Sequence, residues 1–418
     1  MSKSKFYKVL QSEIDRIDSV NTSKRHEKLI AGFTKGPSPR ALINGKEVLI
    51  FNSNDYLGLR LHPALLKAEH EASERFGTGP GAVRFISGSL APHKELEKKL
   101  AIFHKRDDAI VFSSAFAANL AVIFSLIVGQ SKDSLVEGDV VVISDALNHR
   151  SIIDGIRIAN LSKEQRAIFA HMDVGDLEKI LKENIKKFRR AIVITDGVFS
   201  MLGEIQKLRA IREVVDKYDS KYPLGILLIV DDAHGVGALG EQGEGTEEVE
   251  KVRADVLVGT LGKGLGTDGG YVVSDKVVID YLRESAATYI YSNSISPGTA
   301  AAGSAAIDFL RRPEGKRLIE GLKENIRYFK VLVKKNGFKM AADSVHPIQP
   351  LLIGDPDKTK ALADFLLNKN ILVTNINYPV VAKGSDEIRI QLSATHTKED
   401  IDELVDSLIK ANEVIKFL

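Results

Sequence analysis

The chain contains no cysteine. That removes disulfide frameworks, thiolate zinc sites, iron–sulfur clusters and cysteine nucleophiles together. It also lacks an excess of charge of either sign: 58 basic residues face 56 acidic ones, leaving +2. No half carries the basic block of a nucleic-acid footprint, so no nucleic-acid partner is expected. Long hydrophobic runs are missing as well. The longest, residues 120–128, is interrupted by Ser125 and is too short to span a bilayer. Residues 1–20 mix Lys, Asp and Glu with apolar side chains, and no continuous apolar stretch follows an early positive charge, so no secretory signal is expected. A soluble, cytoplasmic protein without a membrane partner is the expectation. There is no internal repeat, no low-complexity tract, no Gly-x-Ser-x-Gly elbow and no His-Glu-x-x-His metal helix, so no metal site is expected.

What is present is enough for two structural domains: 418 residues, 44% of them apolar. Short apolar runs at 109–112, 140–143, 191–194, 226–230 and 256–258 alternate with helical patterns. Continuous apolar strands separated by helices predict an α/β fold with a mainly parallel central sheet covered on both faces. From Pro297 the pattern changes to long helices, with strand candidates at 348–353 and 388–392, which predicts a smaller α+β unit. Leu10, Ile14 and Ile17 fall at helical spacing. The expected division is residues 1–55 as a helix and segment packing on the small domain, 56–295 as the large domain and 296–418 as the small domain.

The five apolar runs are followed by Ser113-Ser114, Ser144-Asp145, Thr195-Asp196, Asp231-Asp232-Ala233-His234 and Gly259-Thr-Leu-Gly-Lys263. Each of these has an ordinary reading as helix cap or turn. In an open parallel sheet, however, the ligand sits outside the carboxyl ends of the strands, and five polar ends at one edge point to a site. Lys263, flanked by glycines just beyond a buried strand, is a candidate for a desolvated amine able to form a Schiff base with an aldehyde. Asp231 at a strand end is placed to pair with a protonated pyridine nitrogen, which keeps such a ring an electron sink. His234 is placed for the ring's phenolic oxygen and His149 for its face. The run from Ser113 to Asn119 passes from strand to helix, so its N–H groups can cradle a phosphate, with the Thr260 hydroxyl in support. Aldehyde, pyridine and phosphate together specify pyridoxal 5'-phosphate (PLP). A rival exists in Gly235-Val-Gly237-Ala-Leu-Gly240, which matches the dinucleotide fingerprint of a nicotinamide-dependent oxidoreductase. Its context is wrong, because polar and small residues separate it from the strand and no apolar helix follows.

These residues, in this order, resemble the α-oxoamine synthases among the fold-type I PLP-dependent transferases. The likeness runs from Phe51-Asn-Ser-Asn-Asp-Tyr-Leu-Gly-Leu to Leu392-Ser-Ala-Thr-His-Thr. Between them lie Arg84-Phe-Ile-Ser-Gly, His93-Lys-Glu-Leu-Glu, Ser144-Asp-Ala-Leu-Asn-His, Thr195-Asp-Gly-Val-Phe-Ser-Met, Val230-Asp-Asp-Ala-His-Gly and Gly259-Thr-Leu-Gly-Lys. The resemblance implies condensation of an amino acid with an acyl-CoA, with Lys263 as Schiff-base lysine and proton shuttle. It implies Asp231, His234 and His149 around the ring, the backbone at Ala115 and Phe116 with Thr260 on the phosphate, and Ser200 beside the cofactor. Ser292 and Asn293 would be phosphate contacts given by a partner subunit, hence a homodimer with shared active sites. Arg389 would bind the substrate carboxylate through a bidentate pair, with Asn54 on the substrate side. Within the family, residues 377–384 and 388–397 look most like the 2-amino-3-ketobutyrate CoA ligases (glycine C-acetyltransferases), which act in threonine breakdown. Phe116-Ala-Ala-Asn, Gly79-Pro-Gly-Ala-Val-Arg and Ser89-Leu-Ala-Pro-His depart from that wording and keep 8-amino-7-oxononanoate synthase and serine palmitoyltransferase as alternatives.

Overall fold

The computed structural model describes residues 2–19, 23–25, 27–36, 38–131, 133–378 and 380–418. Met1, Val20 and Pro379, which figure in the sequence reading, lie outside the described residues. Three short strands come first: Gly32–Phe33 (β1), Arg40–Ile43 (β2) and Lys46–Ile50 (β3). Asn44 and Gly45 join β2 to β3 with φ of 51° and 75°, the two positive values a tight hairpin turn requires.

The central sheet follows, made of Asp108–Phe112 (β4), Val140–Asp145 (β5), Arg166–Phe169 (β6), Arg190–Asp196 (β7), Ile226–Asp231 (β8), Val256–Thr260 (β9) and Gly270–Ser274 (β10). Its order is β4-β10-β9-β8-β7-β5-β6, and all neighbours are parallel except β10, which runs antiparallel to both β4 and β9. Alternate residues feed two cores. Val111, Ile143, Val193, Val230 and Leu257 join the larger one, while Ile110, Val142, Ile192, Ile229 and Val258 join the second with helix Ala115–Val128. Both faces are therefore buried, which is why these strands read as unbroken apolar runs. Each such side chain contributes about 1.5–3 kcal/mol on leaving water.

The strands are longer than the runs suggested. Thr195 pairs with Val230, and Asp196 with Asp231, as the last rungs of the β7–β8 ladder. The polar residues at these ends are thus fixed by sheet hydrogen bonds instead of lying in loops. Past β8 the rival dinucleotide reading fails on structure: residues 233–243 are turns and bends, and the next helix begins only at Thr246. The glycines there serve close packing. A Cβ on Gly264 would stand 2.7 Å from the Val236 oxygen and 2.9 Å from the Gly237 Cα, so only glycines let this loop lie against the lysine loop.

The remaining strands are Ile348–Leu352 (β11), Ile371–Leu372 (β12), Thr374–Ile376 (β13) and Glu387–Gln391 (β14). β11-β14-β13 form an antiparallel sheet, and β12 pairs in parallel with β3, tying an N-terminal strand to the C-terminal region. Helix Ser2–Ser19 forms, with Phe6, Tyr7, Val9 and Leu10 exposed. Two of the quoted sequence blocks turn out to hold the scaffold. Arg84 bonds Glu97 at 2.9 Å with both side chains buried, and His93 Nε2 lies 2.9 Å from the Ile295 carbonyl.

Candidate active site

The carboxyl ends of β7, β8 and β9 and the N-termini of two helices surround one cleft. Its walls include Ala115, Phe116, His149, Ser200, Asp231, His234 and Lys263, seven of the residues expected from sequence. Asn119, Ser151, Asp196, Val198 and Ala233 complete it.

Asp231 is the last residue of β8, and both its oxygens are positioned. The Ala233 N–H donates to one at 3.0 Å, and the Asn119 carboxamide donates to the other at 2.5 Å. Asn119 also donates to Ser151 Oγ at 2.9 Å, which lies 2.7 Å from His149 Nδ1. His149 in turn caps helix Arg150–Ile158, and its own N–H donates to Asp196 at 2.9 Å. One chain of bonds thus fixes the strand-end carboxylate, the ring that faces it and the neighbouring strand. Burial, then the charge of Asp231 beside it, pushes the Asp196 carboxyl well above the usual range. Burial holds the His149 imidazole below its ordinary value, with Asp231 opposing and Lys263 assisting.

Lys263 follows β9 with only Leu261 and Gly262 between. Its amine makes no hydrogen bond or ion pair among the described residues, and burial draws it down to about 8 against the pull of Asp231 and Asp196. A lysine without a partner, at the floor of a cleft, suits covalent work on a carbonyl. Its neutral fraction rises as pH passes upward through that value. The rate at which cofactor-free protein takes up PLP, followed by visible absorbance, is therefore expected to climb from about pH 6.5 and level off near pH 9. A lysine at the ordinary value of 10.5 would still be gaining rate beyond pH 10.

Ser114 caps helix Ala115–Val128 by accepting from the Ala117 N–H at 3.1 Å. The N–H groups of Ala115 and Phe116 find no acceptor among the described residues, so two oriented donors remain at the positive end of the helix. Gly270 makes the approach feasible, since a Cβ there would stand 2.1 Å from the Ala115 nitrogen.

Not every expected residue reaches this cleft. Thr260 is buried one strand end away, with its hydroxyl donating to the Gly269 carbonyl at 3.0 Å. Ser292 and Asn293 also lie outside the cleft walls. Arg389 is 9% exposed on β14 and donates from Nε to the Ser200 carbonyl at 2.7 Å, so it abuts the cleft wall. Asn54 accepts from Gln391 at 2.5 Å on the same side. Sequence reasoning gave no role to the Asn119 side chain, only to the backbone of its run, and none to Tyr56, which lies between Asn54 and His234.

The family model for aminotransferase class I and II matches residues 46–408. The chain belongs to that family. It is 39% identical to 8-amino-7-oxononanoate synthase 1 of Bacillus subtilis (strain 168), over 99% of this chain and all of that one. It is 37% identical to the mitochondrial 2-amino-3-ketobutyrate coenzyme A ligase of Mus musculus, over 97% of this chain and 92% of that one. A serine palmitoyltransferase of S. paucimobilis, solved with a PLP–myriocin aldimine bound, superimposes with a TM-score of 0.87 at 28% identity, covering 99% of each chain. All three relatives are α-oxoamine synthases, and this family member is one too. The nicotinamide reading is thereby set aside. Among the described residues no helix is long and apolar enough to cross a membrane, and no cluster of metal-ligating side chains occurs.

Proposed function

We propose that this α-oxoamine synthase condenses glycine with acetyl-CoA, releasing CoA and giving 2-amino-3-ketobutyrate or its decarboxylated product. The observation that carries the chemistry is the unpartnered Lys263 amine in a cleft with Asp231, His149 and His234. PLP is the cofactor. When bound, it supplies the aldehyde that takes up the amino group and the ring that accepts the electron pair left by the α-proton.

The chain's own residues have distinct tasks in this reading. Lys263 removes the α-proton and returns it. Asp231 pairs with the ring nitrogen, His149 covers the ring face, and His234 donates to the phenolic oxygen. The Ala115 and Phe116 N–H groups and Thr260 hold the phosphate, with Ser200 at the cofactor's edge. Arg389, already anchored to the Ser200 carbonyl, offers its remaining donors to the amino-acid carboxylate, next to Asn54. Two copies complete each other's sites, Ser292 and Asn293 reaching the partner's phosphate. The exposure of Phe85, Ile86 and Tyr291 supports a covering surface there.

The choice of glycine with acetyl-CoA rests on the wording of the sequence. Residues 377–384 and 388–397 favour the same substrates by resemblance. The Bacillus subtilis relative supports a second reading, alanine with a pimeloyl thioester. Glycine, alanine and serine, each paired with acetyl-, pimeloyl- and palmitoyl-CoA, separate the two by CoA release from the PLP-loaded enzyme. Release confined to glycine with acetyl-CoA is expected. Preference for alanine with pimeloyl-CoA would move the enzyme to the second reading, and silence across the panel would defeat both.

A further inference from the structure

Tyr56 is wholly buried, within the block at 51–59 that carries the family likeness but assigns it no role. Its ring stands edge-on to His346, with centroids 5.1 Å apart at 85°. Its hydroxyl lies 2.7 Å from His234 Nδ1 and 3.3 Å from Asn54 Oδ1. The Asn54 oxygen already accepts from Gln391 at 2.5 Å. The Arg389 guanidinium, whose Nε donates to the Ser200 carbonyl at 2.7 Å, completes the surroundings.

The relative lengths of these contacts favour one placement of protons. Burial pushes the phenol well above its ordinary value, so it keeps its hydrogen. Burial, then the charges of Lys263 and Arg389, hold the His234 imidazole well below its own, so the ring is neutral and carries a single N–H. The phenol has one hydrogen to give and two acceptors within reach, His234 Nδ1 and Asn54 Oδ1. The nearest acceptor is Nδ1, closer by 0.6 Å than the Asn54 oxygen already engaged elsewhere. His234 is held from its other end too, its carbonyl lying 2.8 Å from His346 Nε2.

We infer that Tyr56 is a positioning residue that donates to His234 Nδ1 and so locks the Nε2–H tautomer, leaving that N–H as the ring's free donor beside the cleft. The consequence rests on the reading above, in which His234 donates to the phenolic oxygen of the cofactor. In the opposite tautomer Nε2 would present a lone pair to an oxygen, and the contact would become repulsive.

The test begins on cofactor-free wild-type protein labelled with 15N-histidine, near pH 8. The His234 signals are identified by their loss in His234→Asn. A protonated Nε2 with an unprotonated Nδ1 is expected, and the reverse pattern overturns the inference whether or not any variant folds. Tyr56→Phe is then expected to lose the single-tautomer signature. The PLP-loaded variant should show a displaced pH midpoint of its visible spectrum and a kcat roughly tenfold lower, the scale of one lost buried hydrogen bond. An unchanged Nε2–H signature and an unchanged spectral midpoint in Tyr56→Phe would reduce Tyr56 to packing. Failure of the cofactor reading looks different: no visible band appears on adding PLP, while the labelled spectrum still reports the tautomer.

Discussion

Replacing Lys263 with alanine is expected to leave a folded protein to which borohydride fixes no cofactor. The expectation of folding comes from the side chain's isolation: the amine has no hydrogen bond or ion pair among the described residues. The loop around it is held by backbone packing, Gly264 against Val236 and Gly237, and the substitution does not touch that contact. Removing a desolvated amine also removes a cost of folding, so thermal stability should stay level or rise slightly. The proposed phosphate donors at Ala115 and Phe116 and the carboxylate of Asp231 are untouched, so PLP should still be retained without a covalent bond. Turnover should fall by about 10²–10⁴-fold, the usual contribution of a positioned proton-transfer group. Peptide mass mapping after borohydride treatment checks the assignment directly. In the wild type the added mass should sit on the peptide that carries Lys263, and a labelled peptide elsewhere in either protein would end the assignment.

The sheet was legible because its physics is local. A strand buried on both faces must be apolar at every position, and 109–112, 140–143, 191–194, 226–230 and 256–258 all lie within strands of the central sheet. The strands that escaped notice lack that property or sit in misleading surroundings. β6 is a sheet edge whose Ile168 is 69% exposed, so its pattern is broken by solvent. β10 follows a glycine-rich loop and enters the sheet antiparallel, against the α/β rhythm around it. The hairpin of β2 and β3 carried its Asn-Gly signal at 44–45, but charged Lys46 and Glu47 hid the strand.

The site divides the same way. Lys263, Asp231 and His149 stood out because they end buried strands or follow them closely, and strand ends converge by topology. Arg389 looks like a solvated strand residue in sequence. It is buried because Pro350 and Thr374 flank it in register on β11 and β13 and Ser200 closes over it, contacts made across distant segments. Asn119 and Tyr56 act through side-chain bonds to residues 112 and 178 positions away, which no local pattern encodes. Family resemblance supplied Arg389 and Asn54, while only geometry exposed Tyr56.

Asp231→Asn changes the charge at the site with little change of shape, and it is expected to cut α-proton exchange by about 10²–10³-fold, the scale of losing one preorganised electrostatic partner. The native carboxylate accepts from Ala233 N–H and from the Asn119 carboxamide. An asparagine has one oxygen to offer those two donors, so its NH₂ must face one of them. Asn119 can relieve the conflict by turning its amide, since its Oδ1 is buried without a partner. That rotation gives the new NH₂ an acceptor and sacrifices the bond to Ser151, so the cost to stability should stay near 1–3 kcal/mol, roughly that of one unmade buried hydrogen bond. The variant should therefore fold and still be labelled at Lys263 by borohydride, because the lysine is unaltered. On the proposed reading it loses the negative charge against the ring nitrogen, and with it the capacity to keep that nitrogen protonated. Exchange of glycine's α-protons in D₂O, followed by NMR, measures this step alone and needs no acyl-CoA. It therefore reads the role of Asp231 whichever acyl chain the enzyme prefers. Exchange near the wild-type rate would make Asp231 a cap on Ala233 and an anchor for Asn119, with no share in the chemistry.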